Sequence, residues 1–331
     1  MRIRAAIFPL LPLLVAACHD DKPKTTDEPA ASASSEAIPS DLVYNSFIED
    51  NAPKAPVATS DGGAAAPETG SSTLDAPGAD PKSTLRYAFS TKSRTVDATL
   101  TASGGPPGSP AQPPIHFAFT ATPKLKSMMG KDATIDVKIT KFDIKLPADA
   151  PPELAAGEAK LEKALVGVTG HFDVTQFGEI GDVAFDTDQL PPGAANVAGV
   201  IQQAFALIVV PLPNEPVGVG AKWEKVDSKR MADQGASVSM KTTITLLSRD
   251  AHTVTLKVEN TSSGSIAVSD PRAPKGTTVE VKSNESYNVV ARLDGVAEKV
   301  DGTGTVQRTQ KVPGQPDQSL NVQQNLTLTS K

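Results

Sequence analysis

Residues 190–223 read LPPGAANVAGVIQQAFALIVVPLPNEPVGVGAKW, and no charged side chain lies between Asp188 and Glu215. From Ala194 to Val209 the only polar side chains are Asn196, Gln202 and Gln203. At helical spacing Val197, Val200, Ile201, Ala204, Phe205 and Ile208 share one face, and Ala198, Leu207 and Val209 cover much of the rest. A helix apolar on nearly every side is either buried in protein or spans a membrane. This one is too short to span, and prolines flank it. The pattern predicts an inner helix over 194–209. Pro211, Pro213 and Pro216 stiffen its exit toward Trp223, the only Trp in the chain. Such a helix needs walls on several sides.

Strand patterns supply them. Downstream, Val238, Met240, Ile244 and Leu246 precede Val254, Leu256 and Val258, and Ser248–Ala251 between the two groups predicts a hairpin. Stretches 279–291, 296–310 and 320–328 continue the series, with Asp294-Gly295 and Asp301-Gly302 as turns. The alternate positions are Thr, Ser, Lys, Glu, Asn and Gln, so one face of this sheet meets water. Upstream, Leu85–Phe89, Val96–Leu100 and Ile115–Phe119 alternate, the last two separated by the loop GGPPGSPAQPP.

Ile135, Val137 and Ile139 share one parity, while Phe142, Ile144 and Leu146 share the other. A single strand keeps both sets on one face only if a residue is inserted, so a β-bulge is expected near Thr140-Lys141. Pro151, Pro152 and Glu153 suit the first turn of a surface helix whose stripe is Leu154, Leu161 and Leu165. Thr169–Phe177 and Gly181–Phe185 return to strand character. The fold class is therefore α+β: a large curved antiparallel sheet of about ten strands packed on one or two helices. The order of elements resembles the half-barrel of periplasmic lipoprotein-carrier and mycobacterial lipid-carrier proteins, a likeness at the level of fold.

The chain begins differently. Arg2 and Arg4 precede the apolar run AAIFPLLPLLVAA, which is too short to cross a bilayer and reads as a signal-peptide core. Val15-Ala16-Ala17-Cys18 resembles the lipobox of bacterial lipoproteins, and Cys18 is the sole cysteine. The resemblance implies cleavage after Ala17 and acylation of Cys18, with two or more chains giving stable anchoring. His19, rather than Asp, follows the cysteine, which favours the outer over the inner membrane. PLPNEPVGVGAKW, residues 211–223, resembles a signature of a family of uncharacterised bacterial lipoproteins, to which no activity is attached.

Residues 19–82 carry twelve acidic and four basic side chains and few large apolar ones, a composition that cannot offset the entropy of ordering. They read as a disordered acidic tether, with an r.m.s. span of roughly 45 Å as a flexible coil. One island, 38–50, could form a short helix capped by Ser40 and dock a protein partner. The expected organisation is a signal peptide over 1–17, the lipidated Cys18 and tether over 18–82, and one β-rich domain over 83–331.

Chemistry is sparse. From residue 83 onward the charges balance, which shows no footprint for nucleic acid. His19, His116, His171 and His252 have no second ligand at metal spacing, and Glu179, Asp182, Asp186 and Asp188 match no calcium loop. No nucleophile elbow, zinc-protease helix or P-loop occurs. The expectation is a non-enzymatic protein without cofactor or metal. It is a membrane-anchored lipoprotein that holds a lipid or other apolar ligand between sheet and helix. Val200, Ile201, Phe205, Ile208 and Trp223 are the candidate contacts. The alternative is a structural or protein-interaction lipoprotein of the envelope with a solid core.

Overall fold

Period-two alternation over long stretches yields long strands. The computed structural model describes residues 72–331 except 109–111, 148–151, 182, 188–189, 191, 232–235 and 269–273. In chain order the elements are β1 (Thr73–Ala76), β2 (Val96–Gly105), β3 (Ile115–Met129), β4 (Asp132–Lys145), α1 (Pro152–Leu165), β5 (Thr169–Val174), β6 (Ala184–Phe185) and α2 (Pro192–Phe205). They continue with β7 (Lys222–Met231), β8 (Ala236–Arg249), β9 (Thr253–Ala267), β10 (Thr278–Arg292), β11 (Lys299–Lys311) and β12 (Gln318–Ser330). Residues 1–17, expected to be a signal peptide, Cys18 and the 38–50 island lie outside the described residues.

All strands join one open antiparallel sheet in the order β1-β7-β8-β9-β10-β11-β12-β2-β3-β4-β5-β6. It is two meanders, β2–β6 and β7–β12, joined where β12 pairs with β2 and extended by β1 on β7. A flat sheet of this size would be about 50 Å wide, whereas the 14-residue α2 is about 21 Å long. Yet α2 lies on β12 and β2–β4, and its exit lies on β7–β10. The sheet coils so that distant strands share one short segment, as the strand twist allows.

The expected bulge is present. Thr120 pairs with Lys141 and Ala121 with Ile139, leaving Thr140 as the extra residue. Its hydroxyl donates to the Thr120 carbonyl at 3.1 Å. Ile135, Val137 and Ile139 before the bulge and Phe142 and Ile144 after it all face the core. The Asp250 turn likewise joins β8 to β9, its carboxylate accepting from the His252 and Thr253 N–H groups.

Four expectations change, the first being the Asp301-Gly302 turn: both residues lie inside β11, paired with Asn288 and Tyr287, and the glycine there accommodates the Tyr287 ring. Leu85–Phe89 alternates but forms no ladder; Leu85 and Tyr87 are buried while the backbone bonds to loops at Gln176, Leu293 and Asp294. Burial on one side produces alternation whether or not a strand partner exists. The inner helix stops at Phe205 rather than Val209. Val209 and Val210 stand before Pro211, where branching and the pre-proline clash oppose helix. The sheet also begins before Ser83, since Thr73–Ala76 of the acidic linker pairs with β7. That strand and β7 (Lys222–Met231), which carries too little alternation to read from sequence, raise the count from about ten to twelve.

α2 buries Ala194, Val197, Ala198, Ile201, Ala204 and Phe205. α1 buries Leu161 and Leu165 of its expected stripe, while the Leu154 side chain lies outside the described set. Among the described residues no helix is long and apolar enough to cross a membrane.

Candidate functional site

The inner face of β7–β12 is organised in rows set by register. One row runs Trp223, Ile244, Val258, Tyr287, Gly302, Leu326 and is buried except at Gly302, which is half-buried. The next runs Lys225, Thr242, Asn260, Glu285, Gly304, Gln324. The third runs Asp227, Met240, Ser262, Ser283, Val306, Val322. The core therefore becomes polar within one step along the strands, under the point where the chain leaves α2.

That exit is fixed from several sides. Tyr87 hydroxyl accepts from the Val210 N–H and donates to the Val210 carbonyl, each at 3.1 Å. Trp223 Nε1 donates to the Pro211 carbonyl at 2.9 Å. The Ala297 and Leu212 N–H groups bond the carbonyls of Ile208 and Phe177, each at 2.7 Å. Gly178, at a φ of 77°, lets this strap approach, because a Cβ there would overlap the Val210 carbonyl and the Tyr87 ring.

Between strap and sheet lies a cavity of about 130 Å³. Its apolar wall is Leu207, Val209 and Val210 facing Met240 and Val258, and its polar floor is Thr242, Asn260, Ser262, Ser283 and Glu285. By contrast, the void between the body of α2 and Leu100, Phe117, Phe119, Phe142 and Leu326 is about 10 Å³. Room for one water needs about that much, so this part of the core is packed solid.

Glu285 is the chemical centre of the floor. Its Oε1 accepts from Gln324 Nε2 at 3.2 Å and its Oε2 from Asn260 Nδ2 at 3.3 Å. Burial pushes its carboxyl above the ordinary range, against the opposing hydrogen bonds from Asn260, Tyr287 and Gln324. Tyr287 is raised too, by burial and then by the adjoining Glu285 charge. The far ends of both amides, Asn260 Oδ1 and Gln324 Oε1, are buried without a hydrogen-bond partner. Glycine makes the meeting feasible: a Cβ on Gly304 would stand 2.8 Å from Gln324 Nε2 and 2.9 Å from Glu285 Cγ. With no side chain on β11 there, residues of β10 and β12 touch across it. Elsewhere on the floor Lys225 Nζ lies 3.6 Å from Asp227, and the Ser262 and Ser283 hydroxyls are 2.7 Å apart.

Of the sequence candidates, Ile201, Phe205, Ile208 and Trp223 are at most 1% exposed. Phe205 meets the rings of Phe119 and Phe185. Val200 lies in α2, and its side chain is outside the described set. None of Ile201, Phe205, Ile208 and Trp223 borders the 130 Å³ cavity; residues interleaved with them, Leu207, Val209, Val210 and Pro211, do. The floor residues were not singled out from sequence. Their signal was a polar residue on the buried parity of adjacent strands: Asn260 after Val258, Glu285 before Tyr287, Gln324 between Val322 and Leu326.

His116, His171 and His252 are exposed. His116 and His171 flank β4 but pair with Lys145 and Asp136, well separated along it, and His252 lies in the β8–β9 turn. Among the described residues no three His, Cys, Asp or Glu side chains cluster as metal ligands. No family model matches this chain, and no curated protein matches it.

Proposed function

We propose that this chain is a membrane-anchored lipoprotein of the bacterial envelope, outer membrane rather than inner, that acts by binding and not by catalysis. Its ligand is a lipid or other apolar molecule, held beside the exit of α2 in a sheet of half-barrel type like that of the lipoprotein carriers. The observation that carries the reading is the cavity of about 130 Å³ with one apolar wall and one polar floor. A dry engineered cavity of about 150 Å³ takes benzene, so the space suits a short apolar group whose remainder lies along the open floor. The lipobox at Val15–Cys18 supports the anchor.

A second reading, a structural or interaction lipoprotein, has one observation in its favour: the solid packing beneath the body of α2. Native mass spectrometry of the chain from residue 18 onward, before and after solvent extraction, separates the two. Binding predicts a co-purifying apolar mass and uptake of an apolar dye. A clean apo mass with no dye uptake would overturn it. For the anchor, the Cys18→Ala precursor should leave the membrane fraction.

A further inference from the structure

We infer that the polar head taken by this cavity is a primary ammonium carried on a short apolar body. The inference rests on the binding reading above and adds the chemistry of the ligand. The floor has more acceptors than donors. Glu285 offers a carboxylate with about four lone-pair sites, of which the two neutral amides and the Tyr287 hydroxyl take three, none of them a charged partner, and Asn260 Oδ1 is buried with no donor. The cavity borders hold one cation and two carboxylates: Lys225, Asp227 and Glu285. Lys225 is paired with Asp227 at 3.6 Å. It stands three strands from Glu285, about 14 Å by strand spacing. Arg308, the basic side chain of the same face of β11, pairs in register with Val281, two rows beyond. That is about 13 Å along the strand.

One negative charge is thus left facing an apolar wall. An unpaired charge in such a place is costly, and a ligand cation removes the cost. Among cations an ammonium brings three donors and no acceptor. These match a carboxylate oxygen, the Asn260 carbonyl and one of the Ser262 and Ser283 hydroxyls. A quaternary amine brings charge without donors and leaves Asn260 Oδ1 unpaired. A carboxylate would set a second anion against Glu285. An alcohol supplies one donor and no charge. The apolar body is limited by the volume to about the size of benzene, roughly six carbons.

The test uses the chain from residue 18 onward with Cys18→Ala, titrated calorimetrically with n-hexylamine, 1-hexanol, hexanoate and hexyltrimethylammonium. Hexylamine is expected to bind about tenfold tighter than hexanol, with the other two weaker than hexylamine. Glu285→Gln should bring hexylamine down to the level of hexanol, with its far-UV circular dichroism and a cooperative melt showing that the variant folds. Equal affinities of hexylamine and hexanol in the wild type overturn the ammonium and leave the apolar-binding reading standing. Binding of none of the probes overturns both. Competition with hexylamine by dihexanoyl phosphatidylethanolamine, but not by its choline counterpart, assigns an aminolipid. Hexylamine binding that neither lipid displaces assigns a free amine.

Discussion

Tyr87 and Val210 are 123 residues apart in sequence and bonded twice, hydroxyl to N–H and hydroxyl to carbonyl. The phenol takes the place of a strand neighbour for one residue of the strap. Tyr87→Phe leaves two buried backbone groups without partners, at a cost of about 1–3 kcal/mol. Urea unfolding should show a lower midpoint at unchanged slope, and an unchanged midpoint would mean that water replaces the hydroxyl. Nothing local announces such a bond, because its two halves are joined only by the fold. Trp223 was expected as a ligand contact, but it does not border the cavity: its ring is fully buried and its Nε1 donates to the Pro211 carbonyl, an anchoring role. Glu285 was visible as a break in the apolar parity of β10, but its meaning depends on Asn260 and Gln324 of other strands.

Among the elements, β4 shows why parity is strong sequence information. Two apolar sets of opposite phase in one strand have a single economical solution, and Thr140 supplies it. Regular pairing of the natural sequence would turn Phe142 and Ile144 to solvent, and each such exposure costs about 1.5–3 kcal/mol. Deleting Thr140 leaves Ile139, Phe142 and Ile144 at alternate positions, so simple pairing keeps them on the core face. The expected outcome is a melting temperature close to that of Thr140→Ala, measured by circular dichroism. A deletion that melts well below the substitution would show that the bulge serves the strand beyond its parity. The end of α2 was less legible, because helical periodicity continues through Leu207 and Ile208 while the backbone has already turned. There the side chains stay apolar in either conformation, and the decision falls to Pro211 and the Tyr87 hydroxyl. The Leu85–Phe89 segment failed for the complementary reason: alternation records burial, not pairing.

For the whole molecule, the polar row makes stability depend on pH. The Glu285 carboxyl is raised on folding, first by burial. A group raised in this way contributes stability that is full below its unfolded value of 4.5 and is lost as pH rises through the folded value. Glu285→Gln lacks that loss. Its melting temperature should therefore gain on the wild type as pH is taken from below 4.5 into the neutral range. A gap that stays constant across that range would show that burial of the charge is not what the fold bears. The sheet, its wet outer face and its inner helix were readable from composition and period. The floor was not, since rows exist only once register is set.

The join between the two meanders orders events in time. β12 is the last strand of the chain, yet it lies between β11 and β2, with Ser330 opposite Val96. A chain threaded N-terminus first presents β2 long before its neighbour arrives. Until residues 318–330 emerge, β2 and β11 are both exposed edges, and the wall on which α2 rests has a gap. Long-range strand pairing of this kind is slow to form. The inner helix, apolar on nearly every side, thus waits uncovered for the final strand, and the nascent chain is most exposed to aggregation when it is almost complete.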